Sequence, residues 1–196
     1  MIAIVRGARP EDFHAIASAL YEGGVTMIEV TLNSRDPFSV LREASRVWGD
    51  RLLLGAGTVM DALAARDAVD AGARFILSPH LDEAVITATL QAGAVSIPGA
   101  FTPTEIVAAY RLGAHIVKVF PASAGPAYFK DLRGPLPHIP LMPTGGVNLS
   151  NIAAFGEAGA VAYGVGSALV NTAEPLDLGE LTKKARRFME AIHHRS

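Results

Sequence analysis

A short phrase of small residues around a glycine constrains this chain more than any other feature. It recurs as "EGGV" at 22–25, "AGAR" at 71–74, "AGAV" at 92–95, "LGAH" at 112–115 and "AGAV" at 158–161. The steps from Gly72 to Gly93 to Gly113 are about twenty residues, while Gly24 to Gly72 and Gly113 to Gly159 are about twice that, as if one module lay between. Each glycine follows a helical pattern and precedes a β-rich run. Glycine there suits the left-handed position that ends a helix before the chain reverses into a strand.

The first helix is set by Phe13, Ile16, Ala17 and Leu20 at helical spacing, with Pro10, Glu11 and Asp12 at its start. Apolar runs predict strands at 2–6, 25–32, 52–56, 74–78, 94–97, 115–120, 139–143 and 160–164. Helices are predicted near 10–22, 35–48, 60–71, 81–92, 103–112, 126–133, 148–157 and 177–193. Most strands read as continuous apolar runs, the pattern of strands buried on both faces. Eight strands, each followed by a helix, predict a (β/α)8 TIM barrel forming a single domain over 1–196. Alternation alone also fits an open doubly wound sheet; eight units in so short a chain favour the barrel. "NTAEPLD" at 171–177 reads as a loop and "HHRS" at the end as a frayed tail.

With half of its 196 residues hydrophobic, the chain can bury one sizeable core. A net charge of -2 and a pI near 6.3 give no basic excess for nucleic acid or an anionic membrane, so the expected partner is a small-molecule substrate. There is no cysteine, which removes disulfides and thiolate metal ligation. No apolar run approaches a signal peptide or a membrane span, and the expected location is cytoplasmic. Among His14, His80, His115, His138, His193 and His194 only the terminal pair has metal-like spacing, and it belongs to the tail; no metal is expected.

Barrel active sites gather at the C-terminal ends of the strands. There, in "HIVKVFPAS" at 115–123, Lys118 is the only lysine, arginine or acid between Arg111 and Lys130. Its neighbours Ile116, Val117, Val119 and Phe120 disfavour an ammonium. Two readings are open: a lysine that snorkels or sits in a structural ion pair, or a neutral amine able to attack a carbonyl. Glu29, in "MIEVTL", is the only acid within an apolar strand. It is either the structural partner of Lys118 or a proton shuttle beside it. "TGG" at 144–146 and "GVGS" at 164–167 follow strands 7 and 8, where barrels hold phosphate on backbone N–H groups, although either alone is also ordinary turn chemistry. Arg6, Thr58, Pro79 and Pro98 stand at other strand ends. His80 is a poorer candidate, Met142 and Trp48 read as packing, and Tyr128, Lys130 and Arg133 as helix surface.

The motifs "IEVTLNS" (28–34), "GAGTV" (55–59), "ILSPHL" (76–81), "IPGAFTPTE" (97–105), "VKVFPAS" (117–123), "PTGGV" (143–147) and "GVGSALV" (164–170) occur in this order. Together they resemble the class I 2-keto-3-deoxy-6-phosphogluconate and 6-phosphogalactonate aldolases over nearly the whole chain. The resemblance implies a barrel, usually a homotrimer, that splits a phosphorylated 2-keto-3-deoxy sugar acid into pyruvate and glyceraldehyde 3-phosphate. It implies that Lys118 forms the Schiff base and that Glu29 moves protons through a water, with no cofactor. Arg6, Asn33, Thr58, Pro79 and Phe120 would line the carboxylate and keto-acid pocket, and Gly145, Gly146, Gly166 and Ser167 would hold the phosphate. Asn33 replaces the arginine of the gluconate branch, and "IAIVRG" with Arg6 resembles the galactonate branch, which implies that the Arg6 fork could take over the substrate carboxylate from another strand. "EVT" and "PTGG" look gluconate-like. The resemblance therefore favours the 6-phosphogalactonate substrate, with the 6-phosphogluconate epimer and 4-hydroxy-2-oxoglutarate as alternatives. More distant alternatives are a non-covalent phosphate-binding isomerase and a sugar-phosphate sensor. Family members often carry a helix before strand 1; here Met1 almost begins the strand, which would leave the barrel bottom more open.

Overall fold

The computed structural model describes residues 1–173 and 176–193. Glu174 and Pro175 of the expected loop, and residues 194–196 of the expected tail, lie outside the described residues.

Strands and helices alternate in the expected order. The first half holds β1 (Ile2–Val5), α1 (Pro10–Glu22), β2 (Met27–Thr31), α2 (Pro37–Trp48), β3 (Leu53–Gly57), α3 (Ala62–Asp70), β4 (Phe75–Leu77), α4 (Glu83–Gln91) and β5 (Val95–Ile97). The second holds β6 (Gly99–Ala100), α5 (Pro103–Arg111), β7 (Val117–Val119), α6 (Gly125–Arg133), β8 (Leu141–Pro143), α7 (Ile152–Glu157), β9 (Gly164–Val165) and α8 (Leu178–His193). The helix starts follow local chemistry. Asp61 and Asp82 accept from Ala64 N and Val85 N at 2.8 and 2.9 Å, and Thr102 and Glu105 form a capping box ahead of α5. At the other ends, Gly24, Gly72, Gly93, Gly113 and Gly159 all have φ between 74 and 105°, the left-handed turn the recurring phrase encodes.

All strand pairings are parallel, in two sets: β5-β4-β3-β2-β1-β9 and β6-β7-β8. The fold is thus α/β with a mostly parallel sheet. An isolated parallel bridge joins Thr144, just after β8, to Gly164 of β9. Most boundaries shift by only a residue or two, and three differences are larger. The fifth strand is two pieces, because Pro98 has no N–H to give a ladder; its carbonyl instead accepts Lys118 N at 2.9 Å. The last strand is only Gly164–Val165 rather than 160–164. The seventh helix begins at Ile152 rather than 148, because the polar groups of Asn148 and Asn151 are spent on the preceding loop.

The main core lies between strands and helices, with Phe13, Phe129, Phe155 and Phe188 fully buried. A smaller cluster of Ile2, Phe75, Leu77, Ile97 and Met142 draws on both strand sets. Met142 and Trp48 are packing residues, as their composition suggests. Arg133 departs from the helix-surface expectation. Its guanidinium donates to the carbonyls of Leu136, Pro137 and Ile139 at 3.3, 3.0 and 2.6 Å and so fastens the turn before β8.

Candidate active site

Alternation along a strand sends neighbouring side chains to opposite faces. On β7, Val117 and Val119 enter the main core, so Lys118 points the other way, into a cavity of 380 Å³. Glu29 reaches the same cavity from β2. In register it sits opposite Ile4 of β1 and Gly55 of β3. Glu29 is 2 % exposed and Lys118 5 %.

The two groups share the cavity without forming an ion pair: no carboxylate lies within 4.0 Å of Lys118 Nζ among the described residues. Glu29 Oε2 is buried with no hydrogen-bond partner. Lys118 Nζ lies 4.9 Å from the centroid of the Phe120 ring. Burial pushes the Glu29 carboxyl above its ordinary value, and the Lys118 and Arg6 charges only partly offset this. Burial likewise pulls the Lys118 ammonium below its ordinary value, with Glu29 opposing and Arg6 adding to the shift. Both groups are driven toward their neutral forms. A neutral amine is a nucleophile, and a neutral carboxylic acid can give a proton.

Around this pair the cavity gathers Arg6, Thr58, Pro79 and Phe120, together with Gly145, Gly146, Gly166 and Ser167. Thr58 holds φ 58°, a left-handed conformation costly for a β-branched residue and kept only where surroundings fix it. Gly145 and Gly146 have φ 81 and 88°, and a Cβ on Gly145 would crowd the Phe120 ring at 3.1 Å. The backbone N–H groups of Gly145, Gly146, Val147 and Ser167 find no protein acceptor among the described residues. Free N–H groups on residues that line one concavity suit an anion.

One expected pocket residue does not line the cavity. Asn33 instead accepts Arg6 Nη1 on its Oδ1 at 3.0 Å, in a loop whose Ser34 is tied to the chain after β1. Ser34 Oγ accepts Gly7 N at 2.8 Å and contacts Thr31 Oγ1 at 3.0 Å, and Thr172 Oγ1 donates to Arg6 O at 2.5 Å. His80 also stands apart, 4.0 Å from Asp82. Conversely, Ile4, Thr144, Val147, Asn148 and Ala168 line the cavity, although sequence reasoning assigned none of them a role of its own. Thr144 matters most of these: its Oγ1 is buried and unpartnered. It was visible within "TGG", whose glycines draw attention away from its hydroxyl.

The family profile described as "Aldolase: KDPG and KHG aldolase" matches residues 1–183. The chain is 40% identical over 171 residues to a Rhizobium meliloti protein named "Probable 2-dehydro-3-deoxy-6-phosphogalactonate aldolase", covering 86% of this chain and 81% of the relative. It is 36% identical over 157 residues to the 2-dehydro-3-deoxy-phosphogluconate aldolase of Pseudomonas aeruginosa, covering 79% and 71%. The solved structure described as "Native KDPGal structure" superposes with a TM-score of 0.92 at 32% identity, covering 97% of this chain and 92% of that one.

Proposed function

The chain belongs to the KDPG and KHG aldolase family, whose members are carbon–carbon lyases, and we propose that it cleaves 2-dehydro-3-deoxy-6-phosphogalactonate to pyruvate and glyceraldehyde 3-phosphate. The observation that carries this reading is the pair Lys118 and Glu29, both buried, both facing one cavity and not bonded to each other. An ion pair would have tied up the amine and the carboxyl together. Kept apart, they leave room for a substrate or a water between them.

In this reading the neutral Lys118 amine attacks the C2 carbonyl, and the neutral Glu29 carboxyl gives its proton through a water to the departing hydroxyl, leaving water, a protonated imine and a Glu29 carboxylate. The imine is the electron sink when the C3–C4 bond breaks, and Glu29 accepts the C4 hydroxyl proton through a water. The resulting enamine takes a proton at C3, and hydrolysis frees pyruvate and Lys118. Arg6 holds the carboxylate, Thr58, Pro79 and Phe120 the keto-acid end, and Gly145, Gly146, Gly166 and Ser167 the phosphate. The 36% identical gluconate-named relative supports a second reading, the 6-phosphogluconate epimer.

The same reading takes the strands as one closed eight-stranded barrel in a single domain. Its supports are the Thr144–Gly164 bridge, the Lys118 N to Pro98 O bond and an apolar cluster drawn from both strand sets. It also takes the protein as a homotrimer, for which exposed Met60, Leu63 and Phe101 offer apolar contact. Among the described residues no helix is long and apolar enough to cross a membrane. A phosphorylated substrate, too charged to pass a membrane unaided, makes the cytoplasm the compartment of this reading.

Intact-mass spectrometry after pyruvate and borohydride tests the chemistry. One reduced adduct mapped to Lys118 is expected; no adduct on folded protein would overturn the Schiff-base reading. Cleavage rates of the two epimers then decide the substrate.

A further inference from the structure

Asn151 stands at the N-terminal boundary of α7, where an asparagine ordinarily turns its side chain onto its own helix and accepts one of the first free N–H groups. Here it makes no such bond. Its side chain turns back onto the loop after β8. Nδ2 donates to the Gly146 carbonyl at 2.9 Å, and Oδ1 accepts Asn148 N at 2.8 Å. Asn148 Nδ2 donates to the same Gly146 carbonyl at 3.2 Å. Both polar atoms of Asn151 are thereby used on backbone, and Asn151 itself does not line the cavity.

The peptide joining Gly146 to Val147 is trans, so its C=O and N–H point to opposite sides of one plane. Two side-chain amides hold the carbonyl. The N–H on the opposite side belongs to Val147, which lines the cavity and finds no protein acceptor among the described residues. Gly145 and Gly146 precede it with φ 81 and 88°. Glycines turn their peptide planes at little cost, so this loop needs an external hold to keep one orientation.

We infer that Asn151 is a positioning residue: by holding the Gly146 carbonyl and the Asn148 N–H, it keeps the Val147 N–H aimed at the substrate's phosphoryl group. Val147 thus joins Gly145 and Gly146 as an anion donor, through its backbone alone. This rests on the reading that the phosphoryl group binds at these glycines. Preorganised donors cost nothing to orient when the anion arrives, whereas a loop free to flip must be ordered by binding.

The test is the aldol-addition direction with pyruvate, comparing glyceraldehyde 3-phosphate with unphosphorylated glyceraldehyde. For Asn151→Leu the expected result is a KM for the phosphorylated aldehyde about tenfold higher with kcat nearly unchanged, and unaltered kinetics for the unphosphorylated one. Inhibition by inorganic phosphate should weaken by the same factor, and pyruvate trapping on Lys118 should persist. Asn151→Asp keeps the acceptor for Asn148 N but not the donor to Gly146. It should behave like Asn151→Leu, and it serves alone if the leucine variant does not fold. Unchanged KM and unchanged phosphate inhibition would overturn the inference, as would an equal loss with both aldehydes, which marks a merely structural role. Gly166→Val, on the other glycine loop, separates the underlying reading. If it leaves the preference for the phosphorylated aldehyde intact, the anion site falls and takes the Asn151 role with it. If that preference collapses while Asn151→Leu changes nothing, only the Asn151 role falls.

Discussion

Glu29 occupies space that Gly57 leaves open on the neighbouring strand: a Cβ on Gly57 would overlap Glu29 Oε1 and the carboxyl carbon behind it. The glycine at the end of β3 is therefore part of how the carboxyl reaches the cavity. Gly57→Ala is expected to displace Glu29 and lower kcat about 100-fold, the scale of losing a positioned acid–base group. Steady-state kinetics beside a circular-dichroism spectrum check it; full activity in a folded variant would remove the spatial argument.

Burial of Lys118 and Glu29 should be visible in stability against pH. Glu29 has its folded value raised above an ordinary 4.5, so its contribution is fully present below that pH and is lost as pH rises through the raised value. Lys118 has its folded value lowered below 10.5, so its contribution is present above that pH and is lost as pH falls. The double variant Lys118→Met with Glu29→Gln loses both penalties. It should be inactive and more stable at pH 7 by about 1–4 kcal/mol, with the gain shrinking toward both pH extremes. Denaturant melts across pH measure this, and a gain independent of pH would contradict the assigned titrations.

Arg6 carries the only cationic fork at the cavity among the described residues. Arg6→Ala should raise the KM for pyruvate in aldol addition about tenfold, as expected for losing a charge-assisted bond. Asn33→Ala, which removes only the exposed bond to Arg6, should raise it about twofold. Equal losses, or none from Arg6→Ala, would return the carboxylate to another group.

Thr144 is expected to pair a stability cost with a specificity role. Its buried, unpartnered hydroxyl costs about 1–3 kcal/mol in the free protein, so Thr144→Val should raise the Tm. If the Thr144 hydroxyl meets the substrate's C4 hydroxyl, which the two epimers direct to opposite sides, the same change should lower kcat/KM for one epimer more than for the other. Thermal melts with parallel assays of both epimers read both effects. Lower stability, or equal loss for the two epimers, would assign Thr144 to packing.

Much of this was legible in the chain because the signals are local. The glycine phrase marks five helix ends, since a left-handed residue is demanded by the turn itself and owes little to packing. Lys118 and Glu29 stand out because a charge inside an apolar strand is costly wherever the strand lies. Asn33 illustrates the limit. Its motif puts it beside the cavity, but whether it points in or braces Arg6 depends on how the loops after β1 and β2 meet at Ser34. Arg133 likewise reads as surface until the turn at 134–139 folds back onto it.

Sequence by itself determined the order of strands and helices, the helix ends and the two charges that burial would neutralise, because each follows from neighbours within a turn or a strand. Tertiary structure alone decided that those charges share a cavity without touching, that Gly57 clears the way for Glu29, and that Asn151 abandons its own helix to hold the Gly146 carbonyl. Those are distances between segments far apart in the chain, set by strand register and loop packing, which no local pattern encodes.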